Sequence, residues 1–555
     1  MLNYNQQTMF VVAKKKTENR WQVQVVESVR QGKSVLQKIV RNVGTAYSEK
    51  ELTEFKKIGE AAVISIQNAR KPVLFDPEDF YAPRKRGKPV GEEQARVKDL
   101  REEKRIVEGI TDIFGKIYDE LGFEKIISNS NKNEDWNAIL KAMVLARLAA
   151  PQSKLASAQF VSDFFDIKIP VHKIYRMLDL LADENERVLN TVANHTRSLF
   201  QEKVDVLFFD VTTLYFESIV RDELKNFGFS KDCKFNQSQV TLALVTTQDG
   251  MPITYKLFPG NTYEGHTLLE VAKTLKSQFN IADMVLVADR AMFTKDNLKL
   301  MDELGMRYVV AAKLRTLPKN KQKEILSSQL FKASCINDEL HWTNEFSHEG
   351  RRLIVSYSSK RAAKDASDRS RNLERLAKRT DKNGNIPQAK LLNNNGTKKF
   401  LTLGKSEAKI DAKKIRHDQE LDGLHGIITN QDETSAAQLL ERYRGLWQIE
   451  EAFRVNKHSL KMRPIYHWSP RRIQAHISLC YLAYAVAKHA NYQLKKNNVK
   501  MSLEEMRRHL LAVQASIIRD ISTQKRYVIP SCQSKEQALL YDTFKLQRDL
   551  KPYAL

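Results

Sequence analysis

Cysteine is scarce in this chain. Its 555 residues include four, Cys233, Cys335, Cys480 and Cys532, and no two of them form a Cys-x-x-Cys pair. A disulfide framework and a zinc ribbon are both disfavoured, and a reducing compartment is expected. No apolar run approaches the roughly 18 residues of a membrane-spanning helix, so no membrane partner is expected. Residues 1–10 lack the charged and apolar regions of a secretory leader, which points to the cytoplasm. The twelve histidines contain no His-Glu-x-x-His zinc motif. Two Gly-Lys-Ser triplets, at Gly32 and Gly404, lack the first glycine of a phosphate loop, the corresponding residues being Glu27 and Lys399. Neither is read as a nucleotide site. Internal repeats and extended low-complexity tracts are absent. Acidic residues are few as well: 67 Asp and Glu face 91 Lys and Arg, a formal charge of +24. An excess of this size is usually kept for a polyanion, and without a membrane span the expected polyanion is nucleic acid. The 42% hydrophobic content can bury a sizeable core and excludes a wholly disordered chain.

Hydrophobic periodicity divides the chain. Residues 1–75 read as a small β region closed by a helix. Trp21, Val23 and Val25 alternate with Gln22 and Gln24, and Ser48 with Glu51 forms a capping box. Residues 76–94 are a Pro- and Gly-rich basic linker, either a solvated loop or a strap across a DNA backbone. Residues 95–203 read as helical, with Ile106, Ile110, Ile113, Phe114 and Ile117 on a 3.6-residue period. A stretch opening at Pro170 could be the recognition helix of a DNA-binding helix-turn-helix or part of a plain helical bundle. The texture changes at Val204. Residues 204–312 give three meandering strands, then helix, strand, helix and strand, an α/β pattern with an antiparallel half. Residues 313–425 interrupt it with a strongly basic helical stretch and a polar turn at 393–396. Residues 426–468 hold a further helical segment, and 469–555 read as all-helical. Between residues 451 and 530 there are fifteen Lys or Arg against four Asp or Glu.

Two acids, Asp210 and Asp289, each close an apolar strand. Carboxylates in that position are held rigidly and tend to be paired with a cation or metal. Hard ions such as Mg²⁺ take carboxylate, water and phosphate oxygens, and two such ions can clamp the attacking and leaving oxygens of phosphoryl transfer. A third acid, Glu450, lies in the segment Tyr443-Arg444-Gly445-Leu446-Trp447-Gln448-Ile449-Glu450-Glu451-Ala452-Phe453-Arg454-Val455-Asn456-Lys457. On one regular helix, Glu450, Arg454, Lys457 and Lys461 share a face. Leu446, Ile449 and Phe453 make an adjacent apolar stripe that can lie against a sheet. An ordinary surface ion pair is the alternative reading. His458 and His467, which flank this segment, are expected to touch phosphate rather than metal.

Four passages together resemble a family. They are Phe208–Glu217, Phe258–Glu264, Val287–Ala291 and the segment from Tyr443 to Lys457. The chain resembles bacterial insertion-sequence transposases of the DDE type over about residues 205–490. The last passage is similar to the Y-x2-R-x3-E-x6-K signature of one branch, with Tyr443, Glu450 and Lys457 on its Y, E and K. Leu446 stands at the R position, a departure that Arg444 or Arg454 would have to make good. The resemblance implies an RNase H-like mixed-sheet α/β core with an inserted subdomain, rich in strands, between the last core strand and the Glu-bearing helix. Helical N- and C-terminal regions flank it, and residues 95–203 would be the DNA-binding domain. Asp210, Asp289 and Glu450 would be catalytic and would hold Mg²⁺ or Mn²⁺, two ions being expected. Tyr443, Arg444, Arg454, Lys457 and Lys461 would contact DNA. Trp342, in the insertion, could stack on a flipped base or be an ordinary core tryptophan.

The implied activity is cut-and-paste transposition: binding the terminal inverted repeats of an element, cleaving the DNA and transferring the strand. The partners would be double-stranded transposon ends and target, with a dimer on DNA, in the cytoplasm of a bacterium and associated with its nucleoid. By family analogy the second strand is cut through a hairpin, a step the residues do not show. Two rivals stand: a metal-dependent nuclease without strand transfer, and a transposase-derived DNA-binding protein that no longer cleaves.

Overall fold

The computed structural model describes residues 9–17, 20–31, 34–46, 48–69, 97–128, 135–199, 206–216, 220–228, 237–278, 284–292, 294–328, 332–336, 339–381, 385–387, 397–404 and 407–555. The basic segment 76–91 and the turn at 393–396 lie outside them. The chain forms two units, Met1–Phe80 and Tyr81–Leu555. In the first, β1 (Met9–Thr17), β2 (Arg20–Gln31) and β3 (Ser34–Ala46) make an antiparallel sheet in sequential order. Helix α1 (Glu49–Ala69) packs on it, and Val23, Val25 and Val26 are buried. Ser48 Oγ accepts the Glu51 N–H at 3.2 Å, satisfying one of the donors that a helix start leaves unpaired.

The second unit opens with β4 (Leu100–Val107) and a π-turn at Ile110–Phe114. Five helices follow: α2 (Gly115–Glu120), α3 (Trp136–Ala149), α4 (Lys154–Phe160), α5 (Val171–Asp183) and α6 (Asn185–Leu199). Their starts are fixed locally where a polar side chain is available. Asp135 caps α3 and Ser153 caps α4, each accepting a backbone N–H three residues on.

The catalytic-candidate strands come next. They are β5 (Val206–Tyr215), β6 (Gln239–Thr247), β7 (Pro252–Pro259), β8 (Val285–Ala288) and β9 (Arg307–Ala312). Helix α7 (Glu264–Gln278) connects β7 to β8, and α8 (Lys295–Glu303) connects β8 to β9. β5 pairs antiparallel with β6, and β6 with β7; β8 runs parallel to both β5 and β9. Alternation sorts β5. Leu207, Phe209 and Val211 join the core under α7 and α8, while Phe208 and Leu214 face the opposite core.

Residues 313–425 widen this sheet. They supply α9 (Lys319–Ser327), β10 (Lys332–Ile336), β11 (Glu339–His348), β12 (Arg351–Tyr357) and α10 (Ser359–Ala377). A small sheet follows, made of β13 (Asn385–Pro387), β14 (Leu401–Leu403) and β15 (Glu407–Ile410), and then α11 (Ala412–Glu420). Strand β16 (Leu424–Thr429) returns beside β9, antiparallel, and β12 pairs on its other side. The resulting nine-stranded sheet has the order β10-β11-β12-β16-β9-β8-β5-β6-β7. Leu376, Ile386, Phe400, Leu401 and Ala408 give the small sheet a core of its own. Arg369 holds Asp422 through two 2.6 Å bonds, tying α10 to the approach of β16.

The chain then forms α12 (Ala436–Arg444), α13 (Trp447–Arg454), a π-turn at Val455–Ser459 and the long α14 (Pro470–Lys496). Helix α14 is buried on nearly every side from Ile473 to Ala490, as expected of a helix that is apolar all round. α3, α5 and α6 pack around it. The C-terminal residues form α15 (Leu503–Leu511), β17 (Gln514–Asp520), β18 (Arg526–Pro530), α16 (Lys535–Thr543) and β19 (Tyr553–Ala554). Among the described residues no helix is long and apolar enough to cross a membrane.

Two expectations are corrected. Residues 95–203 are not wholly helical, because Ile106 lies on β4. Residues 469–555 are not all-helical, because β17, β18 and β19 join β4 in a four-stranded sheet of order β19-β18-β17-β4. The reason is distance along the chain. β4 pairs with β17 about four hundred residues away, Ala515 opposite Ile106, and short strands paired so remotely leave little local signal.

Candidate active site

The strand register decides where the first two acids stand. Phe209 pairs with Ala288 across the parallel β5–β8 ladder. Asp210 does not close its strand as expected, because β5 runs on to Tyr215; Asp289 is the first residue past β8, so both acids stand where the β5–β8 ladder ends. Asp210 follows the side of β5 that carries Phe208 and Leu214, and this side is covered by α13. Leu446, Ile449 and Phe453 are buried there, so the expected apolar stripe does seat the helix on the sheet. The approach is close. A Cβ on Gly445 would lie 2.5 Å from Phe208 Cζ, so only glycine fits the joint between α12 and α13.

A cleft of about 670 Å³ opens beside Asp289, and Asp210 is not among the residues that line it. Asp289, Glu450, Tyr443, Arg444 and Trp447 line it, together with Lys360, Arg361 and Lys364 from the start of α10. Burial, with the Asp289 charge beside it, pushes the Tyr443 hydroxyl well above its ordinary pKa. Tyr443 therefore stays protonated beside Asp289. His425 stacks 4.9 Å from Tyr443. Burial, and then Arg361 and Arg444, push its pKa down to about 3, so it is neutral at physiological pH. Lys457 reaches β5, its Nζ donating to Thr212 Oγ1, two residues past Asp210 on the same side of the strand. Asp210 Oδ1 accepts the Val211 N–H at 2.7 Å.

The donor set is all carboxylate oxygen, the chemistry that a hard divalent ion prefers. Asp210 and Asp289 meet that requirement in type and in register, with Glu450 on the helix that covers them. Among the described residues, however, no group of three or more His, Cys, Asp or Glu side chains is gathered closely enough to hold a metal.

Residues 203–486, just over half of the chain, match the family model described as a transposase DDE domain. The chain belongs to the DDE transposase family. The sheet order β7-β6-β5-β8-β9 is the RNase H-like core of this transposase, and β10, β11, β12 and β16 extend it. Members of the family use divalent metal ions. No curated protein matches the chain significantly. Among solved structures, one similar chain is that of a piggyBac transposase synaptic complex with hairpin DNA. It is 8% identical over 72% of this chain and 76% of that one, with a TM-score of 0.35. Another is the Mos1 transposase paired-end complex with left transposon end, 12% identical over 33% of this chain and 60% of that one, with a TM-score of 0.14. The assignment rests on the family match.

Other site expectations are relocated. The segment from Tyr443 to Lys457 is not one regular helix. Tyr443 is on α12, Glu450 on α13, and a π-turn begins at Val455. The wider π-turn breaks the 3.6-residue register, and Lys461 falls beyond it in a loop with φ +46°. Arg454 does not stand with Glu450; it makes two 2.6 Å bonds to Glu451. Trp342 is not a core tryptophan. It is 37% exposed on β11, 6.0 Å from Tyr357. His467 is no phosphate-binding cation: burial, and then Lys154 and Arg472, push its pKa down to about 3. The cleft residues that sequence reasoning missed are Lys360, Arg361 and Lys364. Their basic run was visible, but only β12 and β16 carry it to the carboxylates.

Proposed function

We propose that this transposase binds the terminal inverted repeats of its own element and moves it by DNA cleavage followed by strand transfer. Asp210, Asp289 and Glu450 act as the catalytic carboxylates. The observation that carries this reading is that Asp289, Glu450 and a wall of cations line one cleft, with Asp210 on the neighbouring parallel strand where the β5–β8 ladder ends. In the first step water attacks the scissile phosphorus in line. The P–O bond to the 3′ oxygen breaks, and a free 3′-OH is released. In the second step that hydroxyl attacks a phosphate of target DNA; the new P–O bond forms as the target's own P–O bond to its 3′ oxygen breaks, and the target's 3′-OH leaves. The three carboxylates would hold Mg²⁺ or Mn²⁺, two ions, which when bound supply charge stabilisation for both displacements. Tyr443, protonated beside Asp289, positions that carboxylate. Lys457 and Arg444, with Lys360, Arg361 and Lys364, hold phosphates along the cleft. Arg454, Lys461 and Trp342 contact DNA farther out, Trp342 by stacking. Residues 95–203 take part in end recognition. Two ends must meet, so the working form is a dimer on double-stranded DNA.

The deciding experiment incubates purified protein with a labelled inverted-repeat end and Mg²⁺, and scores cleavage and strand transfer separately. Asp210→Ala and Asp289→Ala should each abolish cleavage yet bind the end nearly normally, because affinity comes mainly from Lys and Arg. Wild-type cleavage by either variant sinks the assignment. Cleavage without strand transfer would make the protein a nuclease.

A further inference from the structure

Between the π-turn and α14, the residues from Ile465 to Trp468 alternate inward and outward. Ile465 is buried and donates its N–H to the Tyr215 carbonyl at the end of β5, 3.3 Å away. His467 turns inward, its ring 6.2 Å from Tyr175 and 5.4 Å from His476. Tyr466 and Trp468 point out, 62% and 69% exposed. In extended chain, alternate residues share a side and lie roughly 7 Å apart. Two large rings are thus presented together, and aromatic surface this open normally meets a partner.

Trp468 is held in place. Lys225, whose side chain is 4% exposed, donates Nζ to the Trp468 carbonyl at 2.8 Å and pairs with Asp222 at 3.0 Å. Its Nζ also sits 5.9 Å from the Trp468 ring and 5.8 Å from Phe216. Two arginines lie close by in the chain, Arg463 three residues before Tyr466 and Arg221 four residues before Lys225. Arg463 lies over Tyr215, 5.4 Å from the ring centre, and Arg221 over Phe227 at 4.0 Å. Tyr215 belongs to the strand that carries Asp210, five residues earlier.

We propose that Tyr466 and Trp468 form a stacking platform for unpaired DNA nucleotides beside the cleavage site, with Arg463 and Arg221 following the strand's phosphates. The proposal rests on the transposase reading for its location and adds a ligand class, single-stranded DNA. Stacking suits any base, because every base has a π-face, and neighbouring cations supply the backbone attraction. Paired DNA keeps those faces covered, so the platform favours an open strand. Lys225 beside the Trp468 ring and Arg463 three residues before Tyr466, in a chain of net charge +24, favour DNA over a protein occupant.

The test uses the full chain without divalent metal. It measures fluorescence anisotropy with a labelled oligo(dT) of about 12 nucleotides and a mixed duplex of about 20 base pairs, lengths within the span of known single-strand sites. The double variant Tyr466→Ala, Trp468→Ala should lose ~10- to 100-fold in oligo(dT) affinity and less than about two-fold on duplex. Trp468→Phe should keep most of the affinity. Unchanged oligo(dT) binding, or an equal loss on both probes, overturns the proposal. If oligo(dT) binding is unchanged but sedimentation shows an altered oligomeric state, the face is a protein interface and the proposal falls. Wild-type protein gives a second readout that no folding defect can confuse. Photocrosslinking to iodouracil-substituted oligo(dT) should mark Tyr466 or Trp468, and marks confined to other residues overturn the proposal. None of these measurements needs cleavage, so a failed catalytic assignment and a failed platform give different results.

Discussion

Glu450 and Glu451 are neighbours in sequence with different surroundings. Glu450 lines the cleft with Asp289, whereas Glu451 is held by both nitrogens of the Arg454 fork. Glu450→Gln should lower cleavage by ~10³-fold or more through lost transition-state charge stabilisation. Glu451→Gln should stay near wild type on the same end substrate. The reverse ranking would move the third carboxylate to Glu451. Lys154 makes a different point. It is buried, its Nζ 3.2 Å from His476 Nδ1, with Arg147 and Cys480 also facing it. Burial, and then Arg147, push its pKa down to about 7. An unfolded lysine titrates near 10.4, so between about pH 7 and pH 10 the unfolded chain binds the extra proton and stability rises with pH. Below pH 7 the folded protein carries the full cost of the buried charge. Lys154→Met should therefore raise the melting temperature by a few degrees at pH 6, with the gain shrinking towards pH 10. Melting curves across that range check it, and a gain largest at alkaline pH would contradict it.

At the scale of elements, α10 is the part of the insertion that bears on the chemistry. Its first two turns bring Lys360, Arg361 and Lys364 into the cleft, and the Arg369–Asp422 pair fixes its position. Replacing all three cations by Gln should weaken end binding by ~10- to 100-fold. The salt slope should shrink in magnitude by roughly 2 to 3, because each phosphate left without its cation keeps its counterion. The melting temperature should hardly move, because all three side chains are exposed. A binding curve identical to wild type would take α10 off the DNA path. Helices α12 and α13 show how far an element can be read in advance. Their apolar stripe was legible because it follows one period. The break at Gly445 and the π-turn at Val455 were not, because the packing of Gly445 on Phe208 and the wider turn depend on the sheet beneath.

For the whole molecule, +24 charges make DNA affinity a counterion problem. If about eight phosphates are neutralised, log K should fall with log salt at a slope near −7, and a flat response would mean the charge serves another partner. The amino-acid sequence by itself determined the α/β texture of the core, the apolar strands that lead to Asp210 and Asp289, though not that β5 continues past Asp210 to Tyr215, and the segment that carries Glu450. Each of these is written in runs of apolar residues shorter than twenty, with a period that local backbone geometry imposes. Tertiary structure alone decided that Phe209 pairs with Ala288, which brings both aspartates to the end of that ladder. It also joined β4 to β17 across four hundred residues, carried α10 to the cleft, turned Arg454 to Glu451, and left Tyr466 and Trp468 facing solvent. These are choices of partner between distant segments, made by the burial of whole faces, and no local period records them.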